Sequence, residues 1–143
     1  MKTLVLFFFA LGLAAAAPVP DSASPLGLGE LPPQVLAKNS CALFLWERST
    51  HHRIVMAVAQ PATVKVMRAG AAITLAQIDG DGAAVLGFKP RASYGEGSLR
   101  IGLDLVIVAS EGGGAVIHEG VVSVTGADGG AVVSPVAGLI GCK

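Results

Sequence analysis

Leu99-Arg100-Ile101-Gly102-Leu103-Asp104-Leu105-Val106-Ile107-Val108 reads as the longest strand of this chain and decides its fold class. Side chains in an extended strand point alternately to opposite faces. Leu99, Ile101, Leu103, Leu105 and Ile107 therefore line one face, while Arg100, Gly102, Asp104, Val106 and Val108 line the other. Polarity on that second face fades toward the C-terminal end of the strand.

The flanking sequence repeats the theme. Cys41 to Glu47 (CALFLWE) is apolar nearly throughout, as expected of a strand covered on both faces. Arg53 to Ala59 and Thr63 to Arg68 follow, with Val64 and Val66 sharing a face. Alanines and methionines between Val55 and Val66 would suit a helix, but Gln60-Pro61 divides the stretch. Ile73 to Ile78 is expected to end in a hairpin turn at Asp79-Gly80-Asp81-Gly82, because Asp-Gly readily takes positive φ angles. Ala84 to Phe88 reads as a short strand stopped by Pro90. Gly112-Gly113-Gly114 and Asp128-Gly129-Gly130 read as turns. Between them, Ala115 to His118 and Val121 to Thr125 form one strand with a bulge at Gly120. Val132 to Ser134 and Val136 to Ile140 close the chain, with Pro135 at an edge or a bulge. About eight short strands without an amphipathic helix predict an all-β, single antiparallel barrel or sandwich.

The N-terminus reads as an export signal. Lys2 supplies a positive charge, Leu4 to Ala16 is apolar with Phe7, Phe8 and Phe9, and the run ends in alanines. The run is shorter than the roughly 20 residues that cross a bilayer, so cleavage after Ala16 is expected, with no stable membrane span afterwards. The predicted organisation is a signal peptide over 1–16, a Pro-rich flexible leader over 17–40 and a β domain over 41–143. Within the leader, residues 31–36 are expected as a polyproline-like segment against the domain. The predicted location is periplasmic or secreted, where thiols oxidise. Cys41 and Cys142, the only cysteines, then form one disulfide joining the first and last strands.

Composition excludes some partners. Ten basic and ten acidic residues leave no electrostatic footprint for nucleic acid. Charged residues make up 14%, well below the usual quarter, so the surface is weakly hydrophilic, which implies either poor solubility or a partner that covers part of it.

The sequence holds no strong catalytic constellation. It has no Gly-x-Ser-x-Gly elbow, and Gly95-x-Gly97 lacks the third glycine of a dinucleotide loop. Asp79-Gly80-Asp81-Gly82 starts like a calcium loop, but residues 83–88 supply no carboxylate. Glu96, Asp104, Glu111 and Glu119 show no spacing that calls for acid–base pairing. Trp46 reads as a core residue. His51, His52 and His118 are weak metal candidates: adjacent histidines on a strand face opposite ways and share an ion only from a loop. No cofactor is expected. Arg91-Ala92-Ser93-Tyr94-Gly95-Glu96-Gly97 is the candidate binding loop, with Arg91, Ser93, Tyr94 and Glu96 as its recognition residues.

Leu31-Pro32-Pro33-Gln34-x-Leu36, then Cys41-Ala42-Leu43-Phe44-Leu45-Trp46, and the ending Pro135-Val136-Ala137-Gly138-Leu139-Ile140-x-Cys142 resemble a group of small exported alphaproteobacterial proteins without an established function. More distantly, the signal, the cysteine pair and the β content are similar to periplasmic lysozyme-inhibitor barrels. That resemblance implies a Ser-Gly-x-x-Tyr-like loop entering the lysozyme cleft. Ser93-Tyr94-Gly95 holds those residue types in another order, and the family's Trp-x-Lys-Gly core has no counterpart.

The expected function is therefore that of a non-catalytic exported β-domain of the cell envelope. It would bind a protein or an envelope component through Arg91–Gly97 and the apolar end of Leu99–Val108. The alternatives are an inhibitor of a cell-wall hydrolase and a small His-based metal-binding protein.

Overall fold

The long strands bury one face, and from the second strand on each is followed by a chain reversal short enough to bring the next strand back beside it. The computed structural model describes residues 24–143, and the predicted signal and the start of the leader lie outside these described residues. The elements are β1 (Leu28–Gly29), β2 (Cys41–Glu47), β3 (Arg53–Ala59), β4 (Ala62–Arg68), β5 (Ala71–Asp81), β6 (Arg91–Glu96), β7 (Leu99–Ala109), β8 (Ala115–Thr125) and β9 (Ala131–Cys142). From β2 onward every strand pairs antiparallel with its successor. β9 returns to β2 in unbroken register from Cys41↔Cys142 to Glu47↔Val136. The result is a closed eight-stranded barrel rather than a sandwich, and closure removes the open sheet edges that invite aggregation. The disulfide joins Cys41 and Cys142 across this last seam, between directly opposed residues with Cα atoms 4.0 Å apart.

Eight strands enclose a space that side chains can fill. Leu43, Leu45, Val64, Val66, Leu75, Tyr94, Ile101, Leu103, Leu105, Ile117, Val122, Val136 and Ile140 fill it and are all buried. In β7 the inward set is the predicted one: Ile101, Leu103 and Leu105 are buried, with Leu99 and Ile107 packed against the core. The bulge at Gly120 is present as a register shift between Ile117 and Gly120. A Cβ there would stand 2.6 Å from Leu105 Cδ2, so glycine lets the bulged strand close on β7. Pro135 sits where β2 has just ended. Arg48 N donates to the Pro135 carbonyl at 3.1 Å, so the missing N–H also faces beyond the end of β2.

Four expectations are corrected. Trp46 is not a core residue: it alternates with inward Leu45 and Glu47 and lies half-buried on the outside of β2, 6.3 Å from the Phe44 ring. Asp79-Gly80-Asp81 is not a turn but the end of β5, in register with Ser93, Ala92 and Arg91. The Asp79 and Asp81 carboxylates each accept the following backbone N–H, Gly80 and Gly82, at 2.8 Å, and the chain reverses only after Gly82 (φ 94°). Residues 84–88 are not a strand: Val85 and Phe88 form an isolated bridge, and Phe88 is buried in the core. Finally, part of the expected leader belongs to the folded body. Leu26, Leu28 and Leu31 are buried, and β1 pairs with the end of β4 through Leu28↔Arg68 and Gly29↔Met67. Leu36 then packs with Ala42, Phe44, Met56, Val58 and Met67 on the outside of the wall, where the sequence placed a docked segment.

Candidate functional site

The predicted binding loop is a strand. Arg91 to Glu96 forms β6, between β5 and β7, and alternation splits its residues between the two sides of the wall. Tyr94 is only 3% exposed and belongs to the core, where burial raises its hydroxyl pKa. It is not available to enter a partner's cleft, so the correction extends to Tyr94 as a recognition residue. Glu96 is exposed at the strand end, opposite Leu99. Arg91 and Ser93 do face outward. The Arg91 guanidinium donates to Asp81 Oδ2 from Nη2 at 2.7 Å and from Nε at 3.2 Å. That contact holds the Asp81 carboxyl below its usual range and raises the Arg91 pKa.

The outward residues of neighbouring strands align into rows. Asp79, Ser93, Gly102, Ser123 and Val133 occupy successive register positions from β5 to β9. Asp81, Arg91, Asp104, Val121 and Pro135 form the adjacent row. Small side chains in the first row lower the surface and leave an open groove of about 550 Å³. At the usual strand spacing, four intervals make the row about 19 Å long. A Cβ at Gly102 would overlap Ser123 Oγ, so the floor is low there because residue 102 has no side chain.

The groove is polar at one end and apolar at the other. Asp79, Asp81, Arg91 and Asp104 lie over β5–β7, while Val121 and Val133 lie over β8–β9. Farther along β7 the outer face is apolar, with Val106 56% and Val108 53% exposed. Val108 lies opposite Val116, which lies opposite Leu139, itself 41% exposed. The sequence pointed to the apolar end of Leu99–Val108, and these side chains do face outward. It missed Ser123, Val121 and Val133, whose signal was the continued alternation of β8 and β9 next to β7.

The histidines occupy neighbouring but different settings. His51 (φ 61°) and His52 belong to the β2–β3 turn, where His51 N donates to the Glu47 carbonyl and Glu47 N to the His52 carbonyl. His118 lies in β8, and its carbonyl accepts the Arg48 guanidinium. Among the described residues, no three His, Cys, Asp or Glu side chains come together in a way that could hold a metal ion. Sequence reasoning also missed Glu47, a fully buried carboxylate that accepts the Ser24 and Thr50 hydroxyls at 2.9 Å each. Its inward direction follows from the alternation Leu43, Leu45, Glu47.

Comparison with protein-family models, curated proteins and solved structures found no match to this chain.

Proposed function

We propose that this chain is a non-catalytic, exported barrel of the cell envelope that binds another protein or an envelope component through the outer face of β7–β9. One observation carries the reading. Val106, Val108, Val121, Val133 and Leu139 are all at least 41% exposed on three adjacent strands, while the barrel already buries a full core inside. Exposed apolar side chains that cluster, beside a groove with polar groups at one end, are the usual anatomy of a contact surface. The cysteine pair and the apolar N-terminal run support a site of action outside the cytoplasm.

The test places a photo-crosslinking residue at Val108 or Val133 in cells making the full chain, with Thr74 on β5 as the control position. The expected result is a discrete adduct from positions 108 and 133 and none from 74. Adding Val106→Lys to the position-108 or position-133 crosslinking chain should abolish the adduct without lowering the melting temperature. Adducts that form equally from position 74, or that survive the lysine, contradict the assignment.

A further inference from the structure

The barrel wall has a slot between β3 and β4. These strands pair from Met56↔Lys65 to Ala59↔Ala62. Toward the other end, Met67 and Arg68 of β4 pair instead with Gly29 and Leu28 of β1. On the β3 side, Leu31 N donates to the Arg53 carbonyl at 2.7 Å, and the Arg53 guanidinium donates to the Leu31 carbonyl at 3.0 Å. A short N-terminal arm, Ser24 to Leu31, therefore fills the gap. Leu26 and Leu28 enter the main core, and Ser24 latches the arm to buried Glu47. The arm continues into exposed Pro32 and Pro33 before the chain climbs back to β2. The ladders that close the barrel, and the disulfide, all lie outside the arm.

We propose that this slot is a strand-accepting site that also takes the Ser24–Leu31 arm of a second copy of the chain, giving an arm-exchanged dimer. The occupant already seated in the slot defines what fits it. Backbone groups at Met67, Arg68 and Arg53 and the core positions of Leu26 and Leu28 are met identically by the same segment from another molecule. Exchange of a terminal element between identical chains is a low-cost route to a dimer, because each interaction given up within one chain is remade between two. The recognition is that of an added β-strand, in which main-chain pairing supplies affinity and alternate side chains supply specificity. Pro32-Pro33 is a suitable hinge, since it carries no backbone N–H whose partner must be replaced. The proposed contact face begins at β9, two strands from β3, and ends at β7, three strands from β4 the other way round the wall, so exchange leaves that face free. The two proposals therefore succeed or fail separately.

The test uses the register pair 29 and 67. A Cβ at Gly29 would lie 3.3 Å from Met67 Cβ, close to the roughly 3.5–4.5 Å separation a disulfide needs. Full-length mature chains carrying Gly29→Cys alone and Met67→Cys alone are unfolded and refolded together at high concentration, then oxidised. The expected result is a covalent heterodimer with the 29–67 bond identified by peptide mapping, in a yield that rises with concentration. The double variant Gly29→Cys/Met67→Cys, refolded at high dilution, should form the same bond within one chain. An intrachain bond in the double variant with no heterodimer from the mixed single variants overturns the exchange. No 29–67 bond in either experiment overturns the seating of the arm itself.

Discussion

Removing the disulfide by Cys41→Ala with Cys142→Ala is expected to cost about 4.7 kcal/mol, the chain-entropy value for a loop of roughly 100 residues. The number comes from the unfolded chain. Cys41 and Cys142 are 101 residues apart in sequence, and the bond bridges the end of a ladder that continues through Glu47↔Val136. Their Cα atoms stand 4.0 Å apart as opposed residues of that ladder, so backbone pairing holds the seam without the sulfurs. The folded barrel should therefore survive the substitution, while the released chain gains nearly the whole loop entropy. Guanidinium denaturation of both forms measures the difference. The midpoint should fall, and the slope should rise because the uncrosslinked chain exposes more surface when unfolded. For a domain of this size the melting temperature should drop by about 15 °C. A loss below about 1 kcal/mol would show that the cross-link constrains little of the unfolded ensemble. Loss of the folded state altogether would show that the β2–β9 ladder cannot close the barrel alone, and either result refutes this reasoning.

Three further outcomes follow from single residues. A Cβ at Gly138 would overlap the Phe44 carbonyl oxygen and stand 2.8 Å from Leu45 Cδ2, so Gly138→Ala should destabilise by about 1–3 kcal/mol, while Gly112→Ala, with nothing within 4 Å, should be near neutral in the same denaturation assay. Asp81 has a folded pKa held low by the Arg91 hydrogen bond, so its contribution is present above the unfolded pKa and lost as pH falls through the folded one. NMR titration should find the Asp81 pKa raised toward the ordinary carboxylate range in Arg91→Gln but still held below it by the Gly82 N–H, with little change in stability because the pair is exposed. Burial raises the Tyr94 pKa, so the folded state retains a proton that the unfolded chain releases, and stability should fall as pH rises above about 10. Tyr94→Phe should flatten that alkaline decline in a series of melts.

The barrel was legible where local pattern and tertiary environment agree. The alternation of β7 showed directly which side chains would be buried, and Gly120, a glycine between two apolar runs, marked the bulge that appears as a register shift in β8. Reading failed where residues with turn chemistry are overruled by pairing. Asp79-Gly80 satisfies its own backbone within a long strand, and β6, with alanine, serine and glycine among its six residues, looked like a loop although Ala92 and Tyr94 point inward. The arm was hidden for another reason. Pro25, Pro32 and Pro33 mark a segment with no local structure of its own, and its place depends on a slot made by β3 and β4, which is visible only in three dimensions. The groove was half legible: Arg91, Ser93 and the apolar end of β7 were singled out, but the row crossing five strands requires the register.

A sheet closed on itself, with the arm filling the slot between β3 and β4, is what puts Tyr94 inside and the valines of β7–β9 outside. Cross-strand NOEs in the Cys41→Ala/Cys142→Ala chain test this most directly. The structure predicts contacts between the opposed pairs Leu43/Ile140 and Lys65/Thr74 together, marking the β2–β9 and β4–β5 seams in one spectrum. Absence of either set from a folded sample would mean an open sheet, and would contradict the barrel.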